Sequence, residues 1–221
     1  DLGRDMVDSA AQGGRIVGVG GEVTLVRYFR DVLGERPDLQ ATRADDEGAR
    51  MAAVEAALAA GETVYITRDL PGIGQRYSLD AAGPLIRVSP KAQPTAAPSG
   101  GQTLGLGVTL LDAQVAALRG HERGARVALT WTVAGPLGEE LKVSARLLNA
   151  AGEVAASEDA APVRFTYPTT AWVAGETVDD ALDVRLKPGA GAGPYTPLII
   201  LYRATDGSEV GRATLAPIIL E

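Results

Sequence analysis

The chain contains no cysteine and a single histidine, His121. Without cysteine there are no disulfides, no thiolate metal sites and no thiol nucleophile. One histidine cannot build a multi-histidine metal centre. A serine triad would have to use His121, in the loop Gly120-His-Glu-Arg-Gly124, yet no serine stands in a Gly-x-Ser-x-Gly elbow. Basic residues are also short: 21 Lys+Arg against 28 Asp+Glu give a net charge of −7. That leaves no cationic stripe to follow a phosphate backbone, so nucleic acid is excluded as a partner. No apolar run approaches the ~20 residues of a membrane helix, and Leu198-Ile-Ile-Leu201 is only strand-sized. The start at Asp1, without a signal-peptide pattern, is expected of a piece of a longer protein.

What is present is ordinary globular composition, 46% hydrophobic and 22% charged. The clearest break is Lys91–Thr103, where Pro94, Pro98, Gly100 and Gly101 interrupt any period and no large apolar residue is available to bury. This predicts a domain over 1–90, a linker over 91–103 and a second domain over 104–221.

In the first part, Arg15–Val19 reads as a buried strand, and Gly20-Gly21 turns the chain into a helix with Val23, Val26, Phe29 and Leu33 on one face. Leu39–Thr42 is a second strand. Asp45 and Asp46 suit the start of a helix carrying Met51, Val54 and Leu58 on one stripe, and Thr63–Thr67 is a third strand. Leu85–Val88 adds one more. The order βαβαβ predicts a small Rossmann-like three-layer α/β domain with a parallel sheet.

The second part alternates with period two. Val127, Leu129, Trp131 and Val133 share one face, as do Leu141, Val143, Ala145 and Leu147, and then Val178, Leu182, Val184 and Leu186. Further strands fall over Tyr195–Tyr202 and Ala213–Leu220, joined across Asp206-Gly207. Short strands with regular turns predict an antiparallel immunoglobulin-like β-sandwich.

Candidate chemistry is sparse. Gly18-Val-Gly20-Gly21 lies where a phosphate loop would lie, but Val23 occupies the place of the third glycine of the dinucleotide fingerprint. The carboxylate pairs Asp45-Asp46 and Glu139-Glu140 are explained by capping and by a hairpin; Asp179, Asp180 and Asp183 lack the alternating oxygen-ligand spacing of a calcium loop. No catalytic, cofactor-binding or metal-binding residue is therefore assigned. Trp131 falls in phase with the core. Tyr167 and Trp172 lie in a loop-like stretch and are the candidates for stacking on a glycan, with clamping of that loop over the sandwich edge as their alternative role.

The run Phe165-Thr-Tyr-Pro-Thr-Thr-Ala-Trp-Val-Ala-Gly-Glu176, followed by Val178–Leu186, Gly193-Pro-Tyr195 and Leu201-Tyr202…Asp206-Gly207, resembles the C-terminal β-sandwich of bacterial multi-pass membrane glycosyltransferases of the GT-C, protein O-mannosyltransferase-like kind. The first half, through Tyr28…Arg36-Pro37-Asp38 and Val64–Arg68…Leu70-Pro71-Gly72, is similar to the soluble segment after the membrane helices of related polytopic proteins of unknown function. The resemblance covers most of the chain after Gly14. It implies a non-catalytic accessory or binding module on the extracytoplasmic face of a bacterial cell membrane. Its partners would be the transmembrane part of the same parent chain and a glycan or lipid-linked sugar. The catalytic acidic residue of such enzymes lies between membrane helices, so none is carried over. Two alternatives stay open: a free-standing enzyme with a nucleotide site in the α/β half, and a structural spacer.

Overall fold

Ile16 and Val17 are completely buried in the strand β1 (Arg15–Gly18), an internal strand of a five-stranded sheet. The structure, a computed structural model, describes residues 2–118 and 122–221. It divides into two units, one ending at Ala92 and one beginning at Gln93. Across them the protein is rich in β-structure, with three sheets.

In the first unit β1 is flanked by β2 (Gln40–Arg43) and β3 (Val64–Ile66), both parallel to it. The sheet continues antiparallel through β5 (Leu85–Pro90) to β4 (Tyr77–Ala82), in the order β2-β1-β3-β5-β4. The helices α1 (Leu2–Ser9), α2 (Gly20–Arg27) and α3 (Glu47–Ala59), with the single turn α4 (Ile73–Arg76), complete the unit. Its core joins Met6, Val7, Ile16, Val26, Phe29, Leu39, Tyr65 and Leu85.

Two helical faces differ from the sequence pattern. Val23, Val26 and Phe29 are buried as expected, but Leu33 is 44% exposed. The helix passes into a π-helical turn over Tyr28–Val32, closed by Leu33 N–H to Tyr28 O at 3.1 Å. The extra residue per turn rotates Leu33 off the face that 3.6-residue spacing assigns to it. On α3 the buried residues are Arg50, Val54 and Ala57, while Met51 and Leu58 are only half-buried. The Arg50 guanidinium turns inward to donate to the carbonyls of Ala44 (3.2 Å) and Asp45 (2.9 Å), which rotates the buried stripe by one residue.

The second unit holds two antiparallel sheets. One runs β11 (Thr177–Arg185), β8 (Gly124–Val133), β7 (Val108–Ala117), β6 (Gln102–Gly105). The other runs β10 (Val154–Ala160), β9 (Leu141–Leu148), β12 (Gly193–Arg203), β13 (Glu209–Thr214), with β14 (Ile218–Leu220) also paired to β12. The expected alternation is realised: Val127, Leu129, Trp131 and Val133 are buried, as are Leu141, Val143, Ala145 and Leu147. The strand expected over Ala213–Leu220 is two strands, interrupted before Pro217, which has no N–H to give a ladder. The expected linker is shorter than 91–103. Lys91 Nζ donates to Gly74 O at 2.8 Å, Thr95 N–H donates to Ala174 O at 2.9 Å, and Gln102 and Thr103 already belong to β6.

Candidate functional site

Tyr167-Pro-Thr-Thr-Ala-Trp172 leaves the end of a turn, makes one 3-10 turn at Thr169–Ala171 and folds back onto the second unit. Pro168 sets the entry and cannot extend a ladder, so the segment corners instead of pairing. The polar side-chain atoms of the corner then find fixed partners. The Tyr167 hydroxyl donates to the Glu176 carboxylate, 2.8 Å from each oxygen, and Val173 N–H donates to Glu176 Oε2 at 2.9 Å. Trp172 Nε1 donates to Tyr167 O at 3.3 Å. Thr169 Oγ1 accepts from Leu141 N–H (2.9 Å) and donates to Glu139 O (3.1 Å). Gly175 N–H donates to Val133 O at 2.8 Å and ties the corner to the end of β8.

The glycan-platform expectation for Tyr167 and Trp172 is corrected here. Tyr167 is 0% exposed and Trp172 3%, and the rings pack on each other with centroids 6.3 Å apart. A buried ring has no open face to stack on a sugar. Tyr167, Trp172 and Glu176 form a closed clamp. The exposed aromatic of this stretch is its first residue, Phe165, at 61%.

Phe165 ends a turn in which Val163, Arg164 and Phe165 all take left-handed backbone conformations (φ 52, 57 and 68°). Such angles are costly for residues with a Cβ. The turn is held by Phe165 N–H to Ala161 O (3.0 Å) and by Val163 N–H to Asp180 Oδ1 (2.9 Å). Asp180 is buried within the second unit, and its Oδ1 also accepts from Ala181 N–H at 2.9 Å. The Trp131 indole N–H faces the same carboxyl. It falls short of a hydrogen bond, because both Trp131 Nε1 and Asp180 Oδ2 are left without a partner. Burial pushes the Asp180 carboxyl up to about 6, against the smaller opposing effect of the Val163 and Ala181 amides and the Trp131 indole.

The three aspartates of β11 do not converge. Asp179 accepts from Thr130 Oγ1 (2.9 Å), and Asp183 takes the Arg126 guanidinium at 2.7 and 2.8 Å, while Asp180 turns to the opposite face. Strand alternation makes that separation inevitable. No cluster of three metal-ligating side chains occurs among the described residues. Glu139 pairs with Arg203, and Glu140 accepts from Thr170 Oγ1 at 2.5 Å, so that pair does not face a common cleft. His121 lies outside the described residues.

In the first unit the Gly18–Gly21 turn does join β1 to the start of α2. The close approach of Gly18 to Thr67 is what requires glycine there, since an added Cβ would lie 2.4 Å from Thr67 Oγ1. The anion position at the helix start is filled by the chain itself. Asp45 Oδ1 accepts from Gly20 N–H at 2.8 Å and Asp45 Oδ2 takes Arg43 Nε at 2.7 Å. Arg43 and then the Gly20 amide hold the Asp45 carboxyl below its ordinary value. Asp46 caps α3 by accepting from Ala49 N–H (2.8 Å), so the adjacent aspartates serve two different helices. Beside the turn, Glu22 Oε1 accepts from Arg68 Nε at 2.7 Å. Glu22 Oε2 and Thr67 Oγ1 are unpartnered but fully enclosed, and so closed to a solute.

No protein-family model matches the chain, and no curated protein matches it. Solved structures with partial likeness include a glycoside hydrolase family 2 member from Bacteroides cellulosilyticus DSM 14838, 11% identical, covering 67% of this chain and 18% of that one at a TM-score of 0.37. A beta-glucuronidase from glycoside hydrolase family 2 is 9% identical over 48% of this chain and 11% of its own, also at 0.37. An endonuclease/exonuclease/phosphatase from Beutenbergia cavernae DSM 12333 is 18% identical over 65% and 35%, at 0.27. The chain spans well under half the length of each. Likenesses this slight carry no argument about fold or activity. No helix among the described residues is long and apolar enough to cross a membrane.

Proposed function

We propose that this chain is a non-catalytic accessory region, extracytoplasmic, of a bacterial membrane-embedded glycosyltransferase-like protein. We further propose that it consists of a Rossmann-like α/β module and an immunoglobulin-like β-sandwich. The observation that carries the proposal is how the residues of the Tyr167–Glu176 run are used. Tyr167, Thr169, Trp172 and Glu176 spend their polar atoms on one another and on neighbouring backbone, so they serve packing and not turnover. Asp45 at the start of α2 supports the same view, because a nucleotide phosphate would have to displace a carboxylate already hydrogen-bonded and ion-paired there.

The absence of cysteine supplies the test. A single cysteine in place of the exposed Ala151, in a parent protein whose remaining cysteines, if any, are replaced by serine, is a unique reporter of sidedness. A membrane-impermeant maleimide added to spheroplasts is expected to label it. Labelling only after lysis would place the region in the cytoplasm and overturn the extracytoplasmic role. The purified chain is expected to transfer no sugar from nucleotide-linked or lipid-linked donors, and turnover would overturn the non-catalytic role.

A further inference from the structure

The left-handed turn Val163–Phe165 lies between Pro162 and Pro168, on the way from β10 to β11. Residues with a Cβ adopt that geometry at a cost, so three in succession need fastening. Three backbone bonds close the turn on itself: Phe165 N–H to Ala161 O (3.0 Å), Thr166 N–H to Val163 O (3.1 Å) and Tyr167 N–H to Pro162 O (3.4 Å). The bond that ties it to β11 runs from Val163 N–H to Asp180 Oδ1 at 2.9 Å. Val163 is fully buried beneath the turn, while Arg164 and Phe165 stand out in solvent. The turn is thus a short strap of unfavourable backbone geometry, held down at its start by a carboxyl.

That carboxyl is enclosed. Oδ1 accepts from the Val163 and Ala181 amides, while Oδ2 and the Trp131 Nε1 that faces it are buried without a partner. The charged groups on the surrounding elements are engaged elsewhere. On β11, Asp179 and Asp183 lie on the opposite face, where they meet Thr130 and Arg126 of β8. Just before β11, Glu176 is held by the Tyr167 hydroxyl and the Val173 amide. Arg164 of the turn acts by its charge on Asp183, and Glu158 of β10 acts on Arg185. On β9, Lys142 and Arg146 alternate with the buried row Val143, Ala145 and Leu147 and so lie on its other face. What acts on the Asp180 carboxyl is burial, then the Val163 and Ala181 amides and the Trp131 indole.

Protonated, Asp180 keeps both amide bonds to Oδ1 and has no charge to hydrate. Ionised, it is a buried charge with one oxygen unpartnered, beneath a turn whose own backbone geometry favours release. We infer that the bond between Val163 and Asp180 is a pH-sensitive latch, closed while the carboxyl is protonated and released when it ionises, the turn then lifting to admit water. Release uncovers Val163 beside the already exposed Phe165, so the second unit gains an apolar edge at neutral pH and hides it in acid. The latch does not rest on the accessory role proposed above. Its sign follows from the two states. Asp180 titrates at about 6 in the closed turn and at the ordinary 3.8 once hydrated, so the closed turn is favoured below about pH 4. Opening grows as pH rises through 6, by about a hundredfold in all.

The test is amide hydrogen exchange of the full chain by NMR, read as protection factors so that the intrinsic pH dependence of exchange cancels. Protection of the Val163 amide is expected to fall about tenfold between pH 5 and pH 8, levelling above pH 6. In Asp180→Asn, which keeps an oxygen for the same two amides but does not titrate, it is expected to stay flat. Local opening also has its own signature. Val163 should exchange faster than Leu129 and Val143 of the core strands, at a rate independent of urea at low concentration. Phe165→Gly, which relieves the turn, should raise Val163 protection at pH 8 about fivefold. If the Asn variant does not fold, the carboxyl carbon shift of Asp180 in the wild type decides, since it must titrate near 6 together with the change at Val163. Equal pH dependence in wild type and variant, or none in either, would overturn the latch. So would Val163 exchange that follows urea as the core amides do, or an Asp180 carboxyl that titrates near 4.

Discussion

Asp180 is a carboxyl buried in the second unit with two amide donors on one oxygen and no partner on the other. Its raised value, about 6 against the ordinary 3.8, has a definite sign. The folded state holds the proton more tightly than the unfolded chain. The stability from this group is therefore fully present below about pH 4 and is lost as pH rises through 6. The gap corresponds to roughly 3 kcal/mol. Carboxyls with lowered values act in the opposite direction: Asp38, held down by Arg36 and the Gly13 amide, is one. The difference between wild type and Asp180→Asn isolates the buried group, because the surface carboxyls are common to both. Urea denaturation between pH 4 and 8 is expected to show the stability of wild type falling relative to the variant as pH rises. A pH-independent difference would show that Asp180 is reached by water or by a cation. The clamp gives a second residue-scale expectation. Tyr167→Phe leaves the buried Glu176 carboxylate short of its hydroxyl donor and should cost about 1–3 kcal/mol in the same assay, whereas Trp172→Ala, which opens a cavity, should cost about 3–5 kcal/mol.

At the scale of elements, the turn Val163–Phe165 stores unfavourable backbone conformation. Val163 is fully buried and Asp180 holds its amide, so that position is fixed by packing. Phe165 is mostly exposed at φ 68°, with little burial to offset its conformation. Phe165→Gly is expected to stabilise the second unit by about 1 kcal/mol, measured as a raised denaturation midpoint. No sequence period could have revealed this turn, because none of its three residues favours left-handed geometry. Other elements were legible for physical reasons. The strands β8, β9 and β11 each carry a two-residue alternation of apolar residues that a half-buried sheet rewards, and β12 carries the strand-sized apolar run Leu198–Leu201. The strands β4 and β7 were not. Ser78-Leu-Asp-Ala-Ala82 and Asp112-Ala-Gln-Val-Ala-Ala117 are poor in β-branched residues and take their form from neighbouring strands. The π-helical turn escaped for a similar reason, since Tyr28–Val32 reads as ordinary helix until the tertiary position of Leu33 is known. At the candidate site, the residues of the Tyr167 clamp were legible as a set while their burial was not, because a loop-like sequence does not disclose which way it folds back.

At the scale of the whole molecule, β6 closes one side of the second unit. It pairs with β7 in one sheet, while Leu104 touches β13 of the other, where the backbones come so close that a Cβ on Gly211 would lie 2.2 Å from Leu104 O. The segment leading into β6 is anchored as well, through Thr95 N–H to Ala174 O beside the Tyr167 clamp and Gln102 Nε2 to Arg212 O at 2.9 Å. A second unit cut at residue 104, where composition alone puts its start, loses these bonds together with the Gln102–Leu110 and Thr103–Thr109 pairings. One cut at 93 keeps them. With each net hydrogen bond contributing about 0.5–1.5 kcal/mol, the 93–221 fragment is expected to be more stable than 104–221 by roughly 2–4 kcal/mol. Limited proteolysis of the full chain should locate the boundary independently. Residues 96–99 are exposed and carry none of these bonds, so a protease of broad specificity is expected to nick there first, with Thr95 and Gln102 protected on either side. Equal stability of the two fragments, or first cleavage within β6, would mean that β6 is a loose edge, and the joining of the two sheets would then rest on the contacts of β11 with β10 and β9 and of β14 with β7.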